Sequence, residues 1–314
     1  MAKPHKRVLV TGGAGFIGSH LCDALLENDC HVTCLDSFIT GAERNLARAL
    51  THPEFVMVEG NVEEPIEFEA DFVFHLASPA SPVDYLKMPV ATMLANSIGT
   101  LNCLELAKER GARMLMSSTS EVYGDPQVTP QREDYHGNVN PVGPRSCYDE
   151  GKRFAEAICK AYEREYEVDV VITRVFNTYG SRIRKNDGRV IPNFVCQALD
   201  GEPLTIYGDG NQTRSFCHVS DMARGLMLAM FTPEASGEVI NLGNPNEMRV
   251  IDLANRVREK VNSGSGMTFK ELPVDDPRQR QPDIGKAMRM LGWAPEVDLE
   301  KGLDDVIAWF KENR

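Results

Sequence analysis

A glycine-rich turn lies near the amino terminus, between a predicted strand and a predicted helix. The β-branched run Arg7–Thr11 precedes the turn, and Gly12, Gly15 and Gly18 have the spacing of a dinucleotide-binding loop. Residues without a Cβ let a pyrophosphate approach the backbone and the N-terminal N–H groups of the following helix. The turn therefore predicts a strand–turn–helix unit that binds a dinucleotide.

An acidic residue stands at the end of the second predicted strand, His31–Leu35. Asp36 follows Gly18 by 18 residues. A carboxylate at this position accepts hydrogen bonds from ribose hydroxyls and repels a 2′-phosphate. We therefore predict NAD, rather than NADP, as the cofactor.

Predicted strands and helices alternate along the first half of the chain. The further strands are Phe55–Val58, Phe72–Leu76, Arg113–Ser117 and Val168–Val175, and the clearest helices are Thr92–Glu109 and Asp149–Arg164. This alternation is typical of parallel βαβ units. We predict an α/β protein with a Rossmann-type doubly wound parallel sheet over residues 1–180, to which some later segments return. Glycine and proline interrupt the pattern over residues 181–314, which we predict to be a smaller, mixed α/β substrate lobe.

Charge and composition exclude several functional classes. The 34 basic and 46 acidic residues give a net charge of −12, which argues against nucleic acid or an anionic membrane as a partner. No two cysteines have CxxC spacing, so no metal site is predicted. The start of the chain has no long apolar signal segment, and we expect a cytoplasmic protein. The segment Arg182–Arg189 reverses the acidic balance, with four basic residues against one acid, and this favours a small anionic ligand there.

A tyrosine and a lysine four residues apart, Tyr148 and Lys152, lie on one face of a predicted helix. A neighbouring cation favours the phenolate, so this spacing predicts that Tyr148 acts as a base near neutral pH.

With the glycine turn upstream of this pair, the chain resembles the extended short-chain dehydrogenase/reductase family over nearly its full length. The resemblance implies that Thr119, in the segment Ser117–Gly124, hydrogen-bonds the reacting oxygen of the substrate, and that Lys152 also binds the nicotinamide ribose. The implied cofactor contacts are Gly12, Gly15, Phe16, Ile17, Asp36, Ser37, Thr40, Gly41, Asn61, Val62, Leu76, Ser78, Tyr148 and Lys152. The pair Asn61-Val62 departs from the usual Asp followed by an apolar residue, but asparagine keeps an acceptor oxygen for the adenine amine.

Within that family, the nucleotide-sugar enzymes are the most similar branch. The stretches Arg174–Asn177, Gly208–Arg214 and His218–Asp221 match their pattern. The resemblance implies substrate contacts from Asn177, Arg189, Asn193, Tyr207, Gln212, Arg214 and Arg280. Arginine suits a sugar diphosphate because its planar fork binds phosphate oxygens in a bidentate manner.

Three reactions are open to this branch, namely 4-epimerisation, 4,6-dehydration and oxidative decarboxylation, and each begins with oxidation of C4. Dehydratases carry Asp-Glu directly after the threonine, whereas this chain has Ser120-Glu121. A serine there does not repel a C6 carboxylate and can donate a hydrogen bond to it. The stretches His75–Pro82, Asn140–Arg145, Asn186–Arg189 and Arg280–Ile284 resemble those of UDP-glucuronate decarboxylases.

This resemblance implies conversion of UDP-glucuronate to UDP-xylose. A ketone at C4 lies β to the C6 carboxylate, so CO₂ leaves readily, C5 is protonated, and bound NADH reduces C4 again. The implied catalytic residues are Thr119, Ser120, Glu121, Tyr148, Lys152 and Arg280, with Glu121, Arg280 or an intervening water as the proton donor. A nucleotide-sugar 4-epimerase, a dTDP-glucuronate decarboxylase and a non-catalytic NAD-binding scaffold stay open. The family also implies a homodimer, joined by a four-helix bundle that includes residues 92–109 and 149–164.

Overall fold

The computed structural model describes residues 5–272 and 279–313. The strands are β1 (Lys6–Thr11), β2 (Cys30–Asp36), β3 (Phe55–Glu59), β4 (Phe72–His75), β5 (Arg113–Thr119), β6 (Val170–Val175), β7 (Thr178–Tyr179), β8 (Leu204–Tyr207), β9 (Thr213–Ser215), β10 (Cys217–His218), β11 (Val239–Leu242), β12 (Glu247–Arg249) and β13 (Met267–Lys270). The helices are α1 (Phe16–Glu27), α2 (Pro82–Lys87), α3 (Pro89–Arg110), α4 (Ser146–Tyr166), α5 (Val190–Asp200), α6 (Val219–Phe231), α7 (Val250–Lys260), α8 (Gly285–Leu291) and α9 (Leu299–Glu312).

The described residues form one large sheet of seven strands in the order β11-β6-β5-β4-β1-β2-β3, and every neighbouring pair is parallel. The predicted doubly wound parallel sheet is therefore confirmed. The strand β11 comes from the second half of the chain and pairs with β6. The predicted strands differ from the observed ones by only a few residues at their ends, as for β6, which begins at Val170.

The strands are apolar throughout because helices cover both faces of the sheet. Val8, Leu9 and Val10 on β1 are all buried, although consecutive side chains point to opposite faces. On one face they pack with α1 and α6, and on the other with α3 and α4. Such burial on both faces gives a parallel strand its continuous apolar run instead of an alternating pattern.

The order of the strands determines where in the sheet a ligand site can lie. β1 lies between β2 and β4, so the chain leaves β1 in one direction along the sheet and reaches β4 on the other side. Ligands of open α/β sheets bind in the crevice outside the carboxyl ends of the strands at such a switch point. The glycine turn follows β1 directly, and it therefore lies in that crevice.

A further apolar core forms where α5, α7 and α9 pack around β8. The division into two lobes stays a prediction. Short two-stranded sheets, β7 with β10, β8 with β13 and β9 with β12, complete this part of the chain. Each of the helices within residues 5–272 and 279–313 is too short or too polar to cross a membrane.

Candidate active site

A cleft of about 1560 Å³, part of which is open to solvent, lies at the carboxyl ends of β1, β2, β4 and β5. The predicted cofactor and catalytic residues that line it are Gly12, Gly15, Phe16, Ile17, Asp36, Ser37, Thr40, Asn61, Val62, Leu76, Ser78, Thr119, Ser120, Glu121, Tyr148, Lys152 and Arg280. The predicted substrate residues Asn177 and Arg189 also line it. The fold thus brings most of the predicted site into one cavity.

The glycine turn has the shape that a pyrophosphate requires. A Cβ on Gly12, whose φ is +72°, would lie 2.7 Å from the backbone nitrogen of Ala77, and a Cβ on Gly18 would lie 2.2 Å from the carbonyl oxygen of Gly12. Helix α1 begins directly after Gly15 and has no acidic residue in its first turn. Its positive end is therefore not neutralised by a side chain, and the turn fits the diphosphate of a dinucleotide.

Asp36 is held in place at the end of β2 by the glycine turn itself. Its two carboxylate oxygens accept hydrogen bonds from the backbone N–H groups of Ala14 and Phe38, both at 2.8 Å. Burial raises the pKa of Asp36, while these backbone hydrogen bonds lower it. Gly41 does not line the cleft, but a Cβ there would lie 2.8 Å from an oxygen of Asp36. The geometry fits a ribose, because each carboxylate oxygen has a further lone pair to offer.

Asn61 stands where the adenine acceptor is predicted, and its side-chain oxygen accepts a hydrogen bond from the backbone N–H of Glu63 at 3.1 Å. This contact fixes the side chain in a turn at the wall of the cleft. A carbonyl oxygen has two lone pairs, so one acceptor position is left for a ligand.

Thr119, Tyr148 and Lys152 meet where β5 ends against the first turns of α4. The side chains of Thr119 and Tyr148 form a hydrogen bond. The ammonium group of Lys152 donates to the carbonyl oxygen of Ser117 at 2.8 Å. Burial lowers the pKa of Lys152 to about 8.

The predicted lowering of the tyrosine pKa is wrong for the protein on its own. Burial raises the pKa of Tyr148 to about 12, against the hydrogen bond with Thr119, which lowers it. A desolvated phenolate is costly, and the ammonium of Lys152 donates to Ser117. Burial thus outweighs the effect that the Tyr148–Lys152 spacing predicts, and the role of Tyr148 as the base stays a prediction.

Glu121 is the centre of a buried ion-pair cluster. The guanidinium of Arg280 contacts both of its oxygens, Nη1 to Oε1 at 2.7 Å and Nη2 to Oε2 at 2.8 Å. Arg145 donates from Nη2 to the same Oε2 at 2.8 Å. Burial favours the neutral acid, but the two arginines outweigh it and lower the pKa of Glu121 to about 2. Glu121 is therefore a carboxylate and has no proton to donate.

The basic segment Arg182–Arg189 does not present the free positive charge that its sequence predicts. Acidic side chains from other segments pair with it, Asp23 with Arg182 at 2.6 Å, Asp84 with Arg184 and Asp200 with Lys185 at 2.8 Å. Within the segment, Asp187 lies 3.4 Å from Arg189. Arg182, Arg184 and Arg189 line the cleft, so an anionic ligand there competes with these carboxylates.

Four predicted substrate residues of the segment 181–314 lie outside the walls of this cleft. The side chain of Asn193 donates to the carbonyl oxygen of Gly188 at 3.1 Å. Gln212 donates to the carbonyl oxygen of the exposed Tyr207 at 2.6 Å, and the buried Arg214 donates to that of Thr213 at 2.8 Å. Their contact with a substrate stays a prediction.

Sequence reasoning assigned no role to Arg145 or Tyr85. Arg145 ends the stretch Asn140–Arg145, three residues before Tyr148, so its position was the only signal. Tyr85, on the short helix α2, stacks on Tyr148 with parallel rings 5.1 Å apart. No motif indicates this contact, because α2 and α4 meet only in the folded chain.

The sequence matches the NAD dependent epimerase/dehydratase family over residues 8–243. It is 50% identical over 310 residues to UDP-glucuronic acid decarboxylase 1 of Xenopus tropicalis. The matched region covers 99% of this chain and 73% of that protein. It is 52% identical over 298 residues to UDP-glucuronic acid decarboxylase 5 of Arabidopsis thaliana, covering 95% of this chain and 87% of that protein. The structure is also similar to UDP-glucuronic acid 4-epimerase from Bacillus cereus in complex with UDP-glucuronic acid and NAD, with a TM-score of 0.89, 31% identity, and coverage of 98% of this chain and 99% of that one.

Proposed function

Because this chain belongs to the NAD-dependent epimerase/dehydratase family, we propose that it uses NAD to decarboxylate UDP-glucuronate to UDP-xylose. The observation that carries the proposal is the buried cluster of Glu121 with Arg145 and Arg280, of which Glu121 and Arg280 line the same cleft as Tyr148. Arg280 presents a planar guanidinium there, a group suited to binding a C6 carboxylate. The curated relatives named UDP-glucuronic acid decarboxylase support the same reaction.

The proposed roles follow from the contacts of each side chain. Thr119 and Tyr148 hold the C4 oxygen of the sugar between two hydroxyl groups, and Tyr148 takes its proton. Lys152, fixed by Ser117, stabilises the charge that develops on the phenol. NAD would be held by the glycine turn, Asp36 and Lys152, and would supply a positive charge near Tyr148 and reversible hydride transfer at C4.

Loss of CO₂ from the resulting β-keto acid leaves an enolate on the C4 oxygen. Hydrogen bonds from Thr119 and Tyr148 stabilise that oxygen. The ionised Glu121 orients Arg280 and a water molecule. The water gives a proton to C5, and the hydroxide that it becomes takes up a proton from solvent. Ser120, which is buried in the wall of the cleft, donates to the substrate carboxylate.

In this proposal the segment 1–180 binds the cofactor, and the segment 181–314 binds the nucleotide sugar. Arg189 and Arg280 are the predicted contacts of the second segment that reach the cleft. Asn193, Tyr207, Gln212 and Arg214 would meet the substrate farther from the reacting carbon. Gly41 would act by supporting Asp36 rather than by touching NAD.

A 4-epimerase acting on the same UDP-glucuronate is the second candidate, since the Bacillus cereus structure named above belongs to such an enzyme. A further alternative substrate is dTDP-glucuronate. Uracil and thymine differ by one methyl group, which changes the binding free energy in a pocket by only about 1–3 kcal/mol. Incubation with UDP-glucuronate, dTDP-glucuronate and UDP-glucose separates these candidates. We expect UDP-glucuronate to give a product that is lighter by the mass of CO₂, and to form it at a higher rate than dTDP-glucuronate does. A product of unchanged mass would contradict decarboxylation.

We further propose that the chain forms a homodimer through α3 and α4. Apolar side chains stay exposed along both helices, among them Val90, Met93 and Ile98 on α3 and Phe154 on α4. A second copy of the same face would cover them in a four-helix bundle. We expect Phe154→Glu to convert a dimer into a monomer in analytical ultracentrifugation, whereas Phe269→Glu, on the exposed strand β13, leaves the dimer intact. A wild-type protein that sediments as a monomer at micromolar concentration would overturn this proposal.

A further inference from the structure

Arg145 is a buried cation in a position that no motif explains. Its side chain is 9% exposed, and it directly precedes α4, the helix that carries Tyr148 and Lys152. Its guanidinium lies 5.8 Å from the ring centre of Tyr85, which in turn stacks on Tyr148. Burying a charge is costly unless it is paired, so a buried arginine next to reacting groups needs a reason.

The contacts of Glu121 show that Arg145 can keep this carboxylate paired when Arg280 moves away. Oε2 of Glu121 accepts from Arg145 and from Arg280, whereas Oε1 accepts from Arg280. If Arg280 turns toward another carboxylate, Oε2 keeps its bond to Arg145. Without Arg145, the same movement would leave Glu121 as a buried, unpaired charge.

The ion pairs of Glu121 point the same way. Arg145 and Arg280 both pair with Glu121, so Arg280 can turn to a C6 carboxylate while Glu121 keeps an ion pair. If Arg145 is removed, Arg280 has to serve Glu121 and the C6 carboxylate together. Sharing one guanidinium between two buried carboxylates weakens binding of the second one strongly.

We propose that Arg145 is a positioning residue for the carboxylate of the substrate: it holds Glu121, so that Arg280 can bind the C6 carboxylate. The inference rests on the function proposed above. It makes Arg145 a determinant of specificity for sugars that carry a carboxylate over sugars that carry a hydroxymethyl group at the same carbon.

Other polar side chains face this cluster, and three of them are titratable. Tyr148 and Asp149 come from α4, Tyr85 from α2, and the amide of Asn177 lies 3.5 Å from Arg280. Burial raises the pKa of Asp149 to about 7, with Glu121 adding to the effect and the two arginines opposing it. Ionisation of Asp149 adds a negative charge beside the cluster, so binding of UDP-glucuronate should weaken as the pH rises past about 7.

The test compares UDP-glucuronate with UDP-glucose by titration calorimetry in the Tyr148→Phe background, so that the sugar is not consumed. We expect Arg145→Met to weaken UDP-glucuronate binding by about 10- to 100-fold and UDP-glucose binding by less than about threefold. Arg145→Lys, which keeps the charge, should restore most of the difference. Arg164→Met, at the exposed end of α4, is the matched control and should change neither ligand.

Two outcomes overturn the inference. One is an equal loss for both sugars, which would indicate a purely structural role. The other is found by comparing the double variant Arg145→Met/Glu121→Gln with Glu121→Gln alone. The proposed effect acts through Glu121 and should largely vanish in this background, so a selective loss as large as that in the wild-type background would contradict it. If Arg145→Met does not fold, Arg145→Gln takes its place under the same criteria. Wild-type protein that releases no CO₂ from UDP-glucuronate would instead contradict the proposed function.

Discussion

Tyr148→Phe is expected to lower the turnover of UDP-glucuronate by about 10²- to 10⁴-fold, the usual contribution of a general acid or base. The phenol is the group that takes the C4 proton, and phenylalanine keeps the ring that stacks on Tyr85. Cofactor binding should persist, because the glycine turn and Asp36 are untouched. The measurement is turnover by product mass, together with the NAD content of the purified protein.

Tyr85→Phe is the matched control for this change. It removes the same hydroxyl group from the other ring of the stack, and that hydroxyl is buried with no hydrogen-bond partner among the described residues. Loss of an unpaired buried hydroxyl costs little, so we expect turnover within about threefold of the wild type. Equal losses in the two variants would show that the effect is not specific to the Tyr148 hydroxyl, and would contradict its role as the base.

Gly18→Ala is expected to weaken NAD binding by at least about tenfold. The added Cβ would lie 2.2 Å from the carbonyl oxygen of Gly12 and 2.8 Å from Cα of Gly13. Both neighbours are backbone atoms of the turn, so the loop must shift to relieve the clash. The test is the amount of NAD that copurifies, followed by titration of the remaining protein with NAD.

Gly264→Ala provides the control, because no heavy atom of the described residues lies within 4 Å of a Cβ added there. It should bind NAD as the wild type does. Thermal unfolding of both variants separates a local effect from a global one. Wild-type affinity for NAD in Gly18→Ala would mean that the turn does not approach the pyrophosphate, and would contradict the assignment of the cofactor site.

The fold could be predicted from the sequence because the patterns that indicate it each lie within a short segment. The alternation of strands and helices, the glycine turn and Asp36 each lie within a short segment, and the observed sheet follows them closely. The pair Tyr148 and Lys152 was likewise visible as a helical spacing. Thr119 and Arg280, by contrast, were identified through resemblance, because nothing in their neighbourhood marks them as parts of one site.

The electrostatics of the site could not be predicted from the sequence, because they depend on contacts between distant segments. Glu121 and Arg280 are 159 residues apart, and their pairing makes Glu121 a permanent carboxylate near pH 7. The pKa of Tyr148 depends on how far the phenol is buried, which no spacing reveals. Arg184 similarly finds Asp84 across 100 residues, so the positive segment is largely neutralised.

The most direct test of the central claim uses UDP-glucuronate labelled with ¹³C at C6. Decarboxylation predicts one labelled CO₂ for each UDP-xylose formed, with no net accumulation of NADH, because the bound cofactor is oxidised again in every cycle. Recovery of the label in a UDP-hexuronate epimerised at C4, without labelled CO₂, would contradict the proposal and identify a 4-epimerase.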